Sequence, residues 1–213
     1  MEKVKPKTTI IYCTANIEKP EFEEKVKEII KENSAGLPII SVSRLPIKFG
    51  KNICVTEKAS LSKGSFLRQL LKGLKATKTD FAIITKADTL YPAEYFSFIP
   101  PVKNQVFQYK NVWALGNKFW RKDLTEAAMI CGTKHWIKLV TKALKGHNNW
   151  KPFDPPPTFV SNKENTWEGE TAVVTVSTPN SLRKFPYILP NSLPKIALPH
   201  WGFSKELRQE LNA

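Results

Sequence analysis

A chain of 213 residues holds one sizeable domain, and 41% hydrophobic with 11% aromatic residues suffice for a core, which excludes wholesale disorder. No apolar run approaches the roughly 18–20 residues that a membrane-spanning helix needs. Thirty-three Lys and Arg against 19 Asp and Glu leave a formal charge of +14, a field that attracts nucleic acid, acidic lipid or phosphorylated substrates without choosing among them.

Residues 8–14 (TTIIYCT) read as a buried first strand, rich in β-branched side chains. Pro20 then stands where a first helical turn tolerates it, and Phe22, Val26, Ile29 and Ile30 form one apolar face. Glu21, Glu23 and Glu24 favour the start of that helix, and Asn33 to Gly36 end it. A second strand over 37–42 completes a βαβ opening, which argues for a parallel sheet with a right-handed crossover. Neither G-x-G-x-x-G nor G-x-x-x-x-G-K-[ST] occurs, so the dinucleotide fingerprint and the P-loop are excluded. Cys13, Cys54 and Cys131 lack close spacing and read as free thiols. The charged opening residues contain no apolar signal region, so the expected location is cytoplasmic, extending to a peripheral place at the inner membrane face.

Residues 44–53 read as a loop. A helix follows from about 60 to 76, with Phe66, Leu67, Leu70, Leu71 and Leu74 on its apolar side. An apolar strand over 81–85 ends in Lys86-Ala87-Asp88-Thr89-Leu90-Tyr91-Pro92, and a short helix over 92–98 leads to Pro100-Pro101. In the second half, 105–115 reads as a strand. Residues 124–144 read as a helix with Ala127, Ile130, Cys131, Ile137, Leu139, Val140 and Leu144 in the core. A proline-rich loop over 146–167 precedes a strand over 171–177.

The run FLRQLLKGLKATKTDFAIITKADTLYPAEY, from 66 to 95, resembles the nucleotide-sugar-binding half of GT-A glycosyltransferases of the family 2 type. There, a helix, an AKT-like turn, a strand, an acidic cluster and LYP recur. The resemblance implies an α/β fold: a GT-A-like three-layer α/β/α sandwich around a mostly parallel central sheet. It also implies a nucleotide-sugar-binding half over 1–101 and an acceptor-side half over 102–213 of the same domain. By the same resemblance, Tyr12, Thr14, Asn16, Ser43 and Arg44 line the base and ribose, and Arg68 and Gln69 sit near the donor. Asp88 meets the metal–diphosphate. An acidic residue just past a strand suits that task, because ligands of open α/β sheets bind outside the carboxyl ends of strands.

Family members hold Mn²⁺ or Mg²⁺ on carboxylates and water, as hard cations prefer. Here Lys86 and Ala87 stand where further carboxylates are common. His200, in a Pro-His-Trp-Gly sequence like the family's histidine-glycine pair, is the expected second ligand. Three accounts stay open: a metal on Asp88 and His200, Lys86 meeting the leaving phosphate directly, or a decayed site. Asp123, Asp154, Glu168 and Glu170 are the carboxylates available as a base, with Glu168 and Glu170 best placed and Asp123 a candidate helix cap. Lys134, Lys138, Lys142 and Lys145 form a basic helical face beside Trp136, suited to anionic lipid or nucleic-acid phosphates or simply to water. Trp150, Phe153, Phe159 and Trp167 either stack on sugars or anchor their loop. The expected function is transfer of a sugar from a nucleotide-diphosphate donor. A GT-like binding module that uses its basic surface, or a nucleotidyltransferase, are the rival classes.

Overall fold

The structure, a computed structural model, describes residues 7–55, 63–123, 126–146, 159, 165–180, 188–189 and 191–213. The chain runs β1 (Thr8–Cys13), α1 (Pro20–Asn33), β2 (Ile39–Ser43), β3 (Lys51–Cys54), α2 (Lys63–Ala76), β4 (Phe81–Lys86), β5 (Thr89–Leu90) and α3 (Ala93–Ser97). It continues through β6 (Val106–Tyr109), β7 (Val112–Leu115), β8 (Phe119–Arg121), β9 (Met129–Gly132), α4 (Thr133–Gly146) and β10 (Thr166–Trp167). β11 (Val173–Val176), β12 (Ala197–Leu198), β13 (Gly202–Phe203) and α5 (Ser204–Glu210) close it.

A seven-stranded sheet takes the order β10-β6-β9-β4-β1-β2-β3. β1 is parallel to β2 and β4, β2 to β3 and β10 to β6, while β9 alone runs against its neighbours β4 and β6. The alternation of strand side chains divides the core in two. Ile11, Cys13, Val42, Ala82 and Ile84 face α2 and α4, where Leu67, Leu70, Leu74, Trp136 and Val140 are buried. Ile10, Tyr12 and Ile83 face the other way, against Phe22, Val26 and Ile30 of α1. That second layer also holds a four-stranded sheet of order β5-β11-β7-β8 and the short α5. The fold is therefore α/β, layered on both faces of a mostly parallel central sheet, as expected.

Four local expectations are corrected. The stretch 44–53 contains the edge strand β3, which pairing with β2 defines rather than any alternation of its own. Residues 105–115 form two strands in different sheets, broken at Lys110-Asn111. The expected helix over 124–144 is helical only from Thr133; Met129–Gly132 is a fully buried strand between β4 and β6. Asp123 therefore does not cap a helix that follows it. Of the 146–167 loop, Thr166–Trp167 pairs with β6, and Asp154, Trp150 and Phe153 lie outside the described residues.

Candidate functional site

β2 and β3 lie on one side of β1 and β4 on the other, so the crevice between the carboxyl ends of β1 and β4 is the topological switch point where such sheets bind ligands. The loop after β1 is built by its own polar residues. Thr14 Oγ1 accepts a hydrogen bond from the Asn16 backbone N–H at 2.9 Å, and Gln69 Nε2 of α2 donates to Thr14 O at 2.9 Å. Asn16 has φ 53°, and its Oδ1 receives the backbone N–H groups of both Arg44 and Leu45 at 2.8 Å. That side chain ties the end of β1 to the end of β2. Ser43 is fully buried and accepts from Asn52 Nδ2 at 2.8 Å. Thr14, Asn16, Arg44 and Gln69 are thus brought to one edge, while Ser43 supports it from below. Tyr12 does not reach that edge: it is 0% exposed, edge-on to Phe49, and donates to the buried Glu23 at 2.9 Å.

Across the crevice, β4 ends in a turn fixed by Tyr91. Its buried Oη receives the Lys86 N–H at 3.0 Å and donates to Ala127 O at 2.7 Å, while Asn33 Nδ2 donates to its carbonyl. Asp88 stands half-buried on this turn. Its carbonyl receives the Val176 N–H at 2.8 Å, and its Oδ1 receives the Thr89 hydroxyl at 3.0 Å. The Lys86 ammonium lies 4.3 Å from the Phe66 ring centroid on the α2 side. Arg68 is half-buried on the same helix.

Sequence reasoning missed two groups here. Glu18 follows β1 and accepts from Thr178; burial first, then the nearby Asp88 and Glu23 charges, push its carboxyl up, against the Thr178 bond. Lys122 directly follows β8, is 5% exposed, and donates from Nζ to Thr175 Oγ1 at 3.3 Å. Burial pushes its ammonium down to about 8, with Lys86 pushing the same way and Asp88 and Glu126 opposing. Thr175 and Thr89 are register partners, so Lys122, Thr175, Thr89 and Asp88 make one polar line from the end of β8 to the turn after β4. No pattern in the sequence marks Lys122, because its position comes from the pairing of β7 with both β8 and β11.

Other expected residues lie elsewhere. Glu168 and Glu170 are exposed and precede β11, at the opposite end of that strand from Val176 and Asp88. Glu168 instead faces Arg121 at 3.6 Å, and Asn111 Nδ2 donates to the Glu170 carbonyl. His200 is exposed at the tip of the β12–β13 hairpin, with φ 69° and its ring edge-on to Trp201. It forms no ion pair with Asp88, and among the described residues no three His, Cys, Asp or Glu side chains group to hold a metal ion. Hard divalent cations are bound through carboxylates, waters and substrate phosphates, and among the described residues Asp88 is the one carboxylate at the end of β4 that the protein offers such an ion. Lys134, Lys138, Lys142 and Lys145 are all exposed on α4, but Trp136 is 0% exposed and belongs to the core. Trp167 stacks on Phe98 at 4.7 Å and on Tyr95 at 5.6 Å, an anchor rather than a sugar platform, and Phe159 packs partly buried against the α2–α4 side.

Neither a protein-family model nor a curated protein matches this chain. Solved structures do. S. aureus TarS 1–349 in complex with UDP-GlcNAc is 11% identical, with a TM-score of 0.49 over 87% of this chain and 62% of that one. A glycosyltransferase involved in the glycosylation of the major capsid of PBCV-1 is 11% identical, with a TM-score of 0.42 over 68% of this chain and 70% of its own. The bifunctional IspDF from Campylobacter jejuni is 10% identical, with a TM-score of 0.43 over 78% of this chain and 50% of that chain. This chain therefore spans half the length of IspDF and less than two thirds of the TarS chain.

Proposed function

We propose that this protein is a transferase that takes a sugar from a nucleotide-diphosphate donor bound across the carboxyl ends of β1 and β4. The observation that carries the reading is the position of Asp88: it stands at the topological switch point, on a turn locked by Tyr91, just past the end of β4, which ends level with β1, the strand that leads into the loop that Asn16 and Thr14 shape. In this reading the nucleoside lies along the Thr14, Asn16 and Arg44 edge. The diphosphate lies over the crevice floor, within reach of Lys86 and Lys122. Among the described residues Asp88 Oδ2 has no hydrogen-bond partner, and it accepts a donor hydroxyl.

When the glycosyl bond breaks, its electron pair stays on the diphosphate oxygen, so positive charge placed there in advance lowers the barrier. Glu168 and Glu170 have no part in this chemistry as we read it, because the length of β11 separates them from Asp88. Asp88→Ala is expected to cut transfer by about 100-fold or more while leaving the fold intact. Unchanged turnover in a folded Asp88→Ala protein removes the reading.

A second reading, a binding module for phosphate-rich polymers, is supported by one feature of α2 and α4. Lys72, Lys75, Lys134, Lys138, Lys142 and Lys145 are exposed on these neighbouring helices, and neither helix contains an Asp or Glu.

A further inference from the structure

An ammonium carries three donors. Among the described residues, Lys122 Nζ uses one, the 3.3 Å bond to Thr175 Oγ1, and has no carboxylate within ion-pair distance, although the residue is only 5% exposed. Burying an ammonium without a close counter-charge is costly, and a lysine that serves structure alone is readily replaced by an apolar side chain of similar length. Lys122 stands instead on the polar line that ends at Asp88, on the turn after β4. The open cavity of about 600 Å³ lined by Trp113, Arg121, Ser192 and Lys195 is a different place: Arg121 and Lys122 are adjacent and point to opposite faces of their sheet.

Resting on the donor reading above, we infer that Lys122 binds the donor's diphosphate and, with Lys86, supplies the positive charge there, so that the site works without a divalent cation. Two phosphate oxygens meet the two donors that Thr175 leaves over. The lack of a three-residue metal-ligand group and of a close counter-charge for this ammonium, both among the described residues, then have one cause. The groups whose charges act on Lys122 are Asp88 and Glu126, which favour its protonation, and Lys86, which opposes it. A bound phosphate favours protonation further. Diphosphate binding therefore takes up a proton, and it weakens as pH rises past the value of about 8 to which burial brings this group.

The test is calorimetric titration of the full chain with UDP, GDP, CDP and dTDP in EDTA. One of the four is expected to bind, with affinity falling between pH 7 and 9.5. Lys122→Met is expected to weaken that binding at least tenfold and flatten its pH profile, while melting at or above the wild-type temperature. Lys122→Arg is expected to recover part of the affinity. Equal binding by a folded Lys122→Met protein overturns the inference. So does wild-type binding that needs Mn²⁺, or a flat wild-type pH profile, which requires no variant. If none of the four binds with or without Mn²⁺, the donor reading itself falls and takes this one with it.

Discussion

Asn16 shows how much one side chain does at the edge of the crevice. It occupies the left-handed region at φ 53°, which asparagine tolerates better than most residues, and its Oδ1 satisfies two backbone N–H groups at the end of β2. Asn16→Ala loses both bonds and strains the backbone, for an expected destabilisation of about 2 kcal/mol in urea unfolding. Asn16→Gly keeps the backbone and costs less; an equal or larger cost contradicts this account. The cysteines divide just as sharply. Burial pushes the Cys13 and Cys131 thiols up to about 12, whereas Cys54 is exposed. A thiol reagent at pH 8 is expected to modify one cysteine rapidly in the folded protein and all three after denaturation. Rapid modification of two or three in the native state contradicts the packing around β1 and β9. The place of Asp88 just past a buried strand was legible in the sequence, because an apolar run ends there and Tyr91-Pro92 follow. Lys122 and Glu18 were not, because their meaning comes from which strands pair.

At the scale of elements, close approach decides what these segments become. Gly73 lies where α2 meets the sheet, and an added Cβ comes within 2.6 Å of the Ile11 side chain and 3.1 Å of Val42. Gly73→Ala is expected to cost about 1–3 kcal/mol through overpacking, although alanine favours a helix more than glycine does. A stabilised Gly73→Ala protein contradicts this helix–sheet contact. Gly132 closes β9 against the Lys103 backbone, where no side chain fits. The βαβ opening, α2 and β4 were readable because their apolar period matches what they bury. The stretch 129–132 was not: four small or apolar residues suit a helix or a buried strand equally, and pairing with both β4 and β6 decides for the strand. Likewise, the break at Asn111 carries no turn signature. It is held by Asn111 itself, which donates to the Gly169 and Glu170 carbonyls and accepts from Trp113 and Arg121.

Across the whole molecule, charge is unevenly spread. On one face of the central sheet, α2 and α4 carry lysine and arginine with no acid, while α1 on the other face carries Glu21, Glu23, Glu24, Glu28 and Glu32. Lysines exposed along α4 suit a row of phosphates as point charges rather than a base sequence. If this face docks a polyanion, binding of a DNA duplex falls steeply with salt. The triple change Lys134→Glu, Lys138→Glu and Lys142→Glu then lowers the logarithmic slope by about 2–3. An unchanged slope excludes α4 as the contact. Neither result bears on the crevice, which lies at the strand ends. The central claim is tested most directly by thermal unfolding of the wild-type protein and Asp88→Ala against UDP-, GDP-, CDP- and dTDP-sugars. The account predicts that one donor raises the melting temperature of the wild type and raises that of Asp88→Ala clearly less. No shift with any donor, or an equal shift in both proteins, contradicts it.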